Sequence, residues 1–378
     1  MDLPLRNPLR SLGMFGSSAW RLFRGCGSSW VSFSTRAWYQ LFLKQRGLGK
    51  PEADHSVRVK ILGPQNPLGR EELLKLLAAS VVHRDDALVA FSKPPGLPVS
   101  GKPGELTFLS LLPDLSQKLG LPQDLQVIKA AVKESSGLVL LSGCPNTCLL
   151  LQDFYTKSRR AKCPAATYCA VTTRIPAALE GEVRTGLKLM PVEDFDLVVP
   201  VASPSQRSLE RREVKNTRTL YKVLDSCDGC ALLQLQPLSA FTGQLLVHLT
   251  LILSPVLGDH VYSSRVGTVL GEPFLLPAET TLPRTQILEE SLLKKLHVQQ
   301  QQVHRLPLHL HLHQLLLPTA ASSSTTTVLT APLPPYFLQT LSLLGLALPQ
   351  DKQGEKTSKA LAQIQKPQPT PVKRTGRP

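Results

Sequence analysis

Three groups of residues in this 378-residue chain have the types and spacing to do chemistry. Cys227 and Cys230 form a CxxC, the spacing of half a tetrahedral zinc site. His309, His311 and His313 alternate, so on a strand their rings would leave one face together, an arrangement a metal could use. Lys157, Arg159, Arg160 and Lys162 crowd cations into one short run, and such density attracts phosphate. Each group also has a plainer reading. The two cysteines flank Asp228-Gly229, a strong hairpin signal between the apolar runs 219–224 and 231–235. No further histidine pair or carboxylate cluster stands near the alternating histidines, so no metal is expected. The basic run closes a helical stretch that begins at Thr147, and a solvated helix end and a phosphate contact stand as equal readings of it.

The elements that must position such residues are short and mixed. Leucines at 73, 74, 76 and 77 give residues 71–79 one apolar helix face, and residues 81–91 read as a strand. Lys93-Pro94-Pro95-Gly96-Leu97 is then a rigid turn. A helix is expected over 106–119, stopped by Gly120, and residues 127–142 hold strand broken by the Ser135-Ser136-Gly137 turn. Residues 167–172 read as strand, and 207–222 lead into the hairpin at Asp228. Without βαβ alternation, this pattern predicts an α+β domain on a largely antiparallel sheet.

Charge separates the ends from the middle. The formal net charge is +15, yet residues 1–50 hold eight basic side chains and one acid, and residues 350–378 hold seven and two. The middle is therefore nearly balanced. An Arg-rich, Ser-rich, acid-poor start with interspersed apolar groups has the composition of a mitochondrial targeting peptide. The Lys-, Gln- and Pro-rich end cannot bury enough apolar surface to order itself. Boundaries follow at 1–45 for the targeting peptide, 46–79 for a linker and N-terminal helix, 80–345 for the main domain and 346–378 for a disordered basic tail. Seven cysteines, an odd number, do not suggest a disulfide framework. No apolar run approaches the roughly 20 residues that cross a bilayer, so no membrane insertion is expected.

Several segments, in order, resemble the RluA-type RNA pseudouridine synthases. Asp85-Asp86-Ala87-Leu88-Val89 with Lys93-Pro94-Pro95-Gly96-Leu97 is similar to that family's opening strand and KPxGL turn. Ser135-Ser136-Gly137-Leu138 resembles the end of its HRLDxxTSGL motif, and Thr167-Tyr168-Cys169-Ala170-Val171 its KxYxALV motif. Gln244-Leu245-Leu246-Val247-His248 and Leu257-Gly258-Asp259-His260-Val261-Tyr262 resemble the GRTHQIRVH and LGDxxY blocks. Leu310-His311 and Pro332-Leu333-Pro334 resemble its closing strand and proline segment. The resemblance implies two subdomains around an RNA-binding cleft and chemistry without cofactor or metal. In that chemistry a uridine is flipped out, an Asp attacks the nucleoside, the C–N bond breaks, and the base turns and rejoins through carbon.

Carried onto this chain, the resemblance makes Tyr168, Lys93, Ser136, Gly137, Gln244 and His248 substrate-binding candidates, with Lys157, Arg159, Arg160 and Lys162 on phosphates. It also exposes two departures. The family's aspartate falls on Val132, and its arginine partner falls on Leu246. Loss of both together predicts a repacked apolar pair, because stranding one charge of a buried pair costs about 3–5 kcal/mol whereas replacing both is often neutral. Glu134 is the nearest acid, and Asp259 is a second one in the cleft. The implied function is isomerisation of uridine to pseudouridine in mitochondrial RNA in the matrix, mRNA ahead of ribosomal RNA. Other RNA-processing or ribosome-assembly proteins are possible partners. The alternative is a catalytically degenerate synthase fold that binds RNA and supports ribosome assembly.

Overall fold

Leu73 and Leu77, one helical turn apart, are both buried and set the orientation of helix α1 (Arg70–Ala78). They open the folded body in the computed structural model, which describes residues 61–64, 68–318 and 326–349. The targeting and tail segments read from composition lie largely outside the described residues. Ile61, fully buried, already packs with the far end of the chain at Phe337 and Leu344, so the folded body starts ahead of residue 80.

The single strand expected over 81–91 is two, β1 (Val81–Arg84) and β2 (Val89–Lys93), paired antiparallel. Asp85 makes the difference. Its Oδ1 accepts the N–H groups of Ala87 at 2.8 Å and Leu88 at 2.7 Å, closing a turn that reverses the chain. Helix α2 (Phe108–Leu119) starts on Thr107, which accepts the Ser110 N–H at 3.0 Å, and stops at left-handed Gly120. Strands β3 (Gln126–Ala130) and β4 (Ser136–Ser142) follow, then helix α3 (Pro145–Arg160) and strand β5 (Ala166–Thr172).

The second half is a meander. Strands β6 (Glu180–Val192) and β7 (Phe195–Val201), the short helix α4 (Gln206–Glu210), and strands β8 (Lys215–Cys227) and β9 (Cys230–Pro237) come in sequence. Cys227 pairs with Cys230 across the expected Asp228-Gly229 turn, whose φ angles of 47° and 83° are the positive values this hairpin needs. Helix α5 (Gln244–Leu251) precedes a small hairpin of β10 (Val266–Val269) and β11 (Glu272–Leu275). Helix α6 (Glu290–Leu296), strands β12 (Leu310–Pro318) and β13 (Thr326–Thr330), and helix α7 (Pro335–Leu344) complete the described chain.

Eleven of the described strands form one sheet, in the order β1-β2-β4-β12-β5-β9-β8-β6-β7, with β3 on β4 and β13 on β12. Strand β12 thus joins the two halves of the chain. Its contact with β4 is parallel and all the other pairings are antiparallel, giving the α+β architecture expected. Period-two alternation separates two layers. Tyr168 and Ala170 of β5 share a cluster with Leu140, Tyr155, Leu235, Leu249 and Leu312, which takes in α3 and α5. Cys169 and Val171 pack instead with Leu296, Phe337 and Leu341 from α6 and α7.

Gly137 is the seam of this sheet. Its φ is +119°, and a Cβ there would lie 2.4 Å from the Leu312 carbonyl oxygen. Only glycine lets β4 approach β12 so closely. The unusual backbone also breaks alternation: Ser136 bonds toward α7, whereas Leu138 and Leu140 join the cluster of Tyr168.

Candidate active site

The loop between β3 and β4 carries the position at which the resemblance puts its attacking aspartate. Ala131 is buried, and its N–H donates to the Leu138 carbonyl at 2.9 Å. The next three side chains turn outward: Val132 is 53% exposed, and Lys133 and Glu134 are exposed as well. The buried apolar pair expected of Val132 and Leu246 is therefore not formed. A position at the surface has no desolvation penalty to relieve, so the physical reason for repacking does not apply there.

The backbone of this loop is nonetheless held firmly. Lys93, buried at the end of β2, donates from Nζ to the carbonyls of Pro94 (3.0 Å), Lys133 (3.1 Å) and Ser135 (2.8 Å). The Gly96 N–H donates to the Lys133 carbonyl at 2.9 Å, and Ser135 Oγ to the Val132 carbonyl at 3.2 Å. Three carbonyls match the three donors of an ammonium. Burial lowers the Lys93 ammonium to about 7, against the opposing charge of Glu134. With its donors spent on backbone, Lys93 acts on the loop rather than on a ligand, so its place is to position residues 132–135.

Helix α5 approaches the same cluster from the other half of the sheet. Gln244, at its first turn, donates to the Arg218 carbonyl at 3.1 Å and Thr219 Oγ1 at 2.9 Å, and accepts from Ser239 Oγ at 2.9 Å. His248, one turn on, meets Thr217 Oγ1 through Nε2 and Thr219 Oγ1 through Nδ1, both at 2.9 Å. Burial lowers His248 to about 4, so it is neutral at physiological pH. Both side chains anchor the helix on β8 and are almost fully buried. Leu246, between them in sequence, is half-buried and packs against the cluster that holds Ala131 and Tyr168.

Tyr168 stands between these two walls, on β5. Burial pushes its phenol up to about 12, so the ring stays uncharged. Beside it, Tyr155 of α3 donates to the Leu316 carbonyl at 3.2 Å, with Lys129 Nζ 6.0 Å from its ring centroid. Lys129, three residues ahead of Val132, is lowered by burial and then by the charge of Arg159. The four basic candidates lie on the last turn of α3 and just past it, on this same side. Lys157 is paired with Asp153 at 2.7 Å, one turn earlier. Lys129 is the cation that motif reading passed over; its place three residues ahead of Val132, at the start of the degenerate HRLD stretch, was the available signal.

Other candidates fall elsewhere. Ser136 is fully buried and bonds His311 Nδ1 at 2.9 Å and the Tyr336 hydroxyl at 3.1 Å, on the α7 side of the sheet. Gly137 serves the seam between strands. His309 meets Thr340 Oγ1 at 2.8 Å, and His313 Nδ1 the Ala331 carbonyl at 2.8 Å. His311 and His313 stay on one side, as alternation expects, with ring centroids 6.0 Å apart and both rings on the Ala331 carbonyl. No group of three or more His, Cys, Asp or Glu among the described residues is arranged to hold a metal. Asp259, the second acid considered, is 2% exposed, and its Oδ1 accepts the N–H groups of Val261 at 2.9 Å and Tyr262 at 3.0 Å. Burial raises its carboxyl to about 6.

The loop 131–135, Tyr168 and helix α5 therefore converge on one cluster, although Ala131 and Tyr168 lie 37 positions apart in the chain and Tyr168 and Gln244 a further 76. Residues 87–251, which include all three, match the family described as RNA pseudouridylate synthase. The chain is 56% identical over 286 residues to the mitochondrial mRNA pseudouridine synthase of Homo sapiens, spanning 75% of this chain and 81% of that one. It is 50% identical over 344 residues to the Bos taurus protein of the same name, spanning 89% and 98%. The solved structure of human RNA pseudouridylate synthase domain containing 4 matches with a TM-score of 0.58 at 29% identity, over 74% of this chain and 98% of that one. With relatives this similar over most of their length, the chain belongs to the RNA pseudouridylate synthase family.

Proposed function

We propose that this protein isomerises uridine to pseudouridine in mitochondrial RNA, with mRNA as its substrate class. The observation that carries the reading is the convergence of loop 131–135, Tyr168 and α5 on one side of the sheet. A uridine flipped out of its strand needs an uncharged aromatic surface, since stacking offsets the cost of leaving the helical stack by about 1–3 kcal/mol per base. Tyr168, 9% exposed, is an aromatic ring on that side, and its raised pKa keeps it neutral. Lys157, Arg159, Arg160 and Lys162, with Lys129, supply positive charge for the phosphates on that side. The isomerisation moves one ribose–base bond from nitrogen to carbon and changes no composition, so it calls for no redox group. The relatives named as mitochondrial mRNA pseudouridine synthases support both the substrate and the compartment. The basic start of the chain supports delivery to the matrix.

Val132 favours a second reading, in which the same surface binds mitochondrial RNA and supports ribosome assembly without converting it. One experiment separates them. Purified full chain is incubated with mitochondrial transcripts, and bound RNA and pseudouridine are quantified together. Conversion at defined sites, lost in Tyr168→Ala and kept in Tyr168→Phe, is the expected result. Bound RNA whose uridines are all unchanged overturns catalysis and leaves the binding role.

A further inference from the structure

We infer that the short helix α4 and the turn closing it form a second phosphate-binding surface, through Arg207, Arg211 and Arg212; its partner, RNA, rests on the synthase reading above. This surface continues the basic end of α3, so the RNA strand runs along the end of the sheet where β5 and β8 begin.

Charge singles out the segment. Residues 207–218 hold five basic and two acidic side chains, a net +3 in a middle region that is otherwise nearly balanced. The arginines are also unspent. Glu210 accepts from Gln206 Nε2 at 2.9 Å, and Glu213 meets Arg211 only at 3.7 Å, with both side chains more than half exposed. Arg207 and Arg212 are exposed and have no side-chain partner among the described residues.

Strand pairing brings this segment to the end of α3. Strands β5 and β8 are both antiparallel to β9, so they run in one direction and begin at the same end of the sheet, two strand spacings or about 10 Å apart. Tyr168 of β5 and Tyr221 of β8 share Leu235 as partner and are therefore level. Lys162 precedes Tyr168 by six residues and Lys215 precedes Tyr221 by six, so the chain enters both strands from basic stretches. The loop carrying α4 also lies against β6, where a Cβ on Gly186 would stand 2.8 Å from Val214 Cγ1 and 3.3 Å from Pro204 Cγ. Two residues earlier on β6, Arg184 lies directly opposite Arg218. Like charges so placed repel. Glu182 neutralises Arg218, and Arg184 is left exposed with no side-chain partner among the described residues.

The two helix ends are built alike. After α4 the Glu213 N–H donates to the Ser208 carbonyl at 3.0 Å and the Arg212 N–H to the Leu209 carbonyl at 3.1 Å. Arg212 thereby takes a φ of 59°, and Lys162, at the corresponding place after α3, a φ of 55°. Glycine usually fills that left-handed position. A cation holds it both times, at one end of one sheet, and an anionic strand spanning both accounts for the repetition. Continuity with the run 157–162 favours a phosphate strand over an acidic protein face.

The test uses full chains: wild type, the triple variant Arg207→Gln, Arg211→Gln, Arg212→Gln, and a charge-matched control, Lys75→Gln, Lys118→Gln, Lys294→Gln, whose lysines are exposed elsewhere. Affinity for a single-stranded mitochondrial transcript is measured across a salt series, with melting temperature alongside. The slope of log affinity against log salt should be shallower by about 2 in the triple variant, three contacts at about 0.7 each, and unchanged in the control. Arg212→Gly, which relieves the backbone, should raise the melting temperature and still lower the slope by about 0.7. A triple variant with the wild-type slope overturns this inference, as does a control that loses as much as the triple variant. Conversion enters neither comparison. A wild type that binds RNA and converts nothing therefore overturns the synthase reading alone, whereas one that binds no RNA overturns both.

Discussion

The two faces of the sheet at β12 treat their polar side chains in opposite ways. On the α7 side, Ser136, His309, His311 and Tyr336 are chemically the richest set in the molecule, and they are engaged with one another, with Thr340 and with backbone carbonyls. On the side of loop 131–135 the side chains at the key positions are Val132, Lys133 and Glu134, all exposed. There the hydrogen bonding goes into the backbone, through Lys93. A buried polar group without a partner is costly, so residues that look reactive but are bonded in this way are holding structure; of these four only the Nδ1 of His309 has no partner. Groups left unspent on a rigid frame are the ones available to a ligand.

The seam common to both faces gives the largest expected effect. Gly137→Ala meets the Leu312 carbonyl at 2.4 Å and adds a Cβ at a φ of +119°. Neither β4 nor β12 can yield without unpairing the center of the sheet. A loss of about 4 kcal/mol or more is expected, enough to leave little folded protein. A soluble variant with a wild-type denaturation midpoint would show that the strands can separate here and that the faces are less tightly joined.

Lys93→Met addresses the loop face alone. It keeps the volume and strands the carbonyls of Pro94 and Ser135, that of Lys133 keeping the Gly96 N–H, so about 3 kcal/mol of stability should go, together with conversion activity. The pH dependence identifies the cause. The folded-state value for Lys93, about 7, lies below its value of 10.5 in the unfolded chain, so between those values the unfolded chain holds more proton. Wild-type stability should therefore rise with pH above 7, by up to about 1.4 kcal/mol per unit from this group. Denaturation curves of the variant at pH 7 and 9 should lack that rise.

The histidine face responds in the acid range. Burial lowers His309 to about 4 and His311 to about 3, below the ordinary 6.5. Their neutral forms favour the fold above pH 6.5, and that stability is lost as pH falls toward the folded values. Between pH 7 and 5 each should lose about 2 kcal/mol. Asp259, raised to about 6, acts with the opposite sign over the same range, by about 1 kcal/mol. Urea denaturation of His311→Asn at the two pH values should show a drop smaller than wild type by about 2 kcal/mol. An equal drop would mean that His311 is charged in the fold.

How much of this was legible in the sequence follows from the same contrast. Motifs written in backbone geometry could be read directly: the Asp228-Gly229 turn and Gly120 as a helix stop stand where expected, whereas the turn read at Ser135-Ser136-Gly137 is a bend at 133–135, with Ser136 and Gly137 already in β4. The break at Asp85 was hidden, because a carboxylate closing a turn on its own N–H groups leaves no mark on the apolar pattern of 81–91. The long β6–β7 hairpin carries charged and proline positions on its open face, which mask its alternation. Roles were harder than elements. Lys93 reads as a free cation, since the carbonyls it meets at Lys133 and Ser135 are contributed by backbone, for which any residue would serve. Ser136 reads as substrate-facing until the positive φ at Gly137 turns it to the other layer.

The smallest effect bears on the basic end of α3, where charge and backbone preference oppose each other. The helix closes in a Schellman arrangement: the Cys163 N–H donates to the Ser158 carbonyl at 2.9 Å and the Lys162 N–H to the Arg159 carbonyl at 3.2 Å. Lys162 thereby takes a φ of 55°, the left-handed position that glycine usually fills. A lysine costs about 1 kcal/mol there. Lys162→Gly should accordingly stabilise the protein by up to about 1 kcal/mol and raise its melting temperature. If Lys162 contacts phosphate, the same change weakens RNA binding and lowers the slope of log affinity against log salt by about 0.7. Higher stability with an unchanged salt slope would assign the lysine to solvent and move the phosphate contacts to Lys129, Arg159 and Arg160. A stabilised protein with a shallower slope would show that positive charge occupies a glycine position because RNA lies against it.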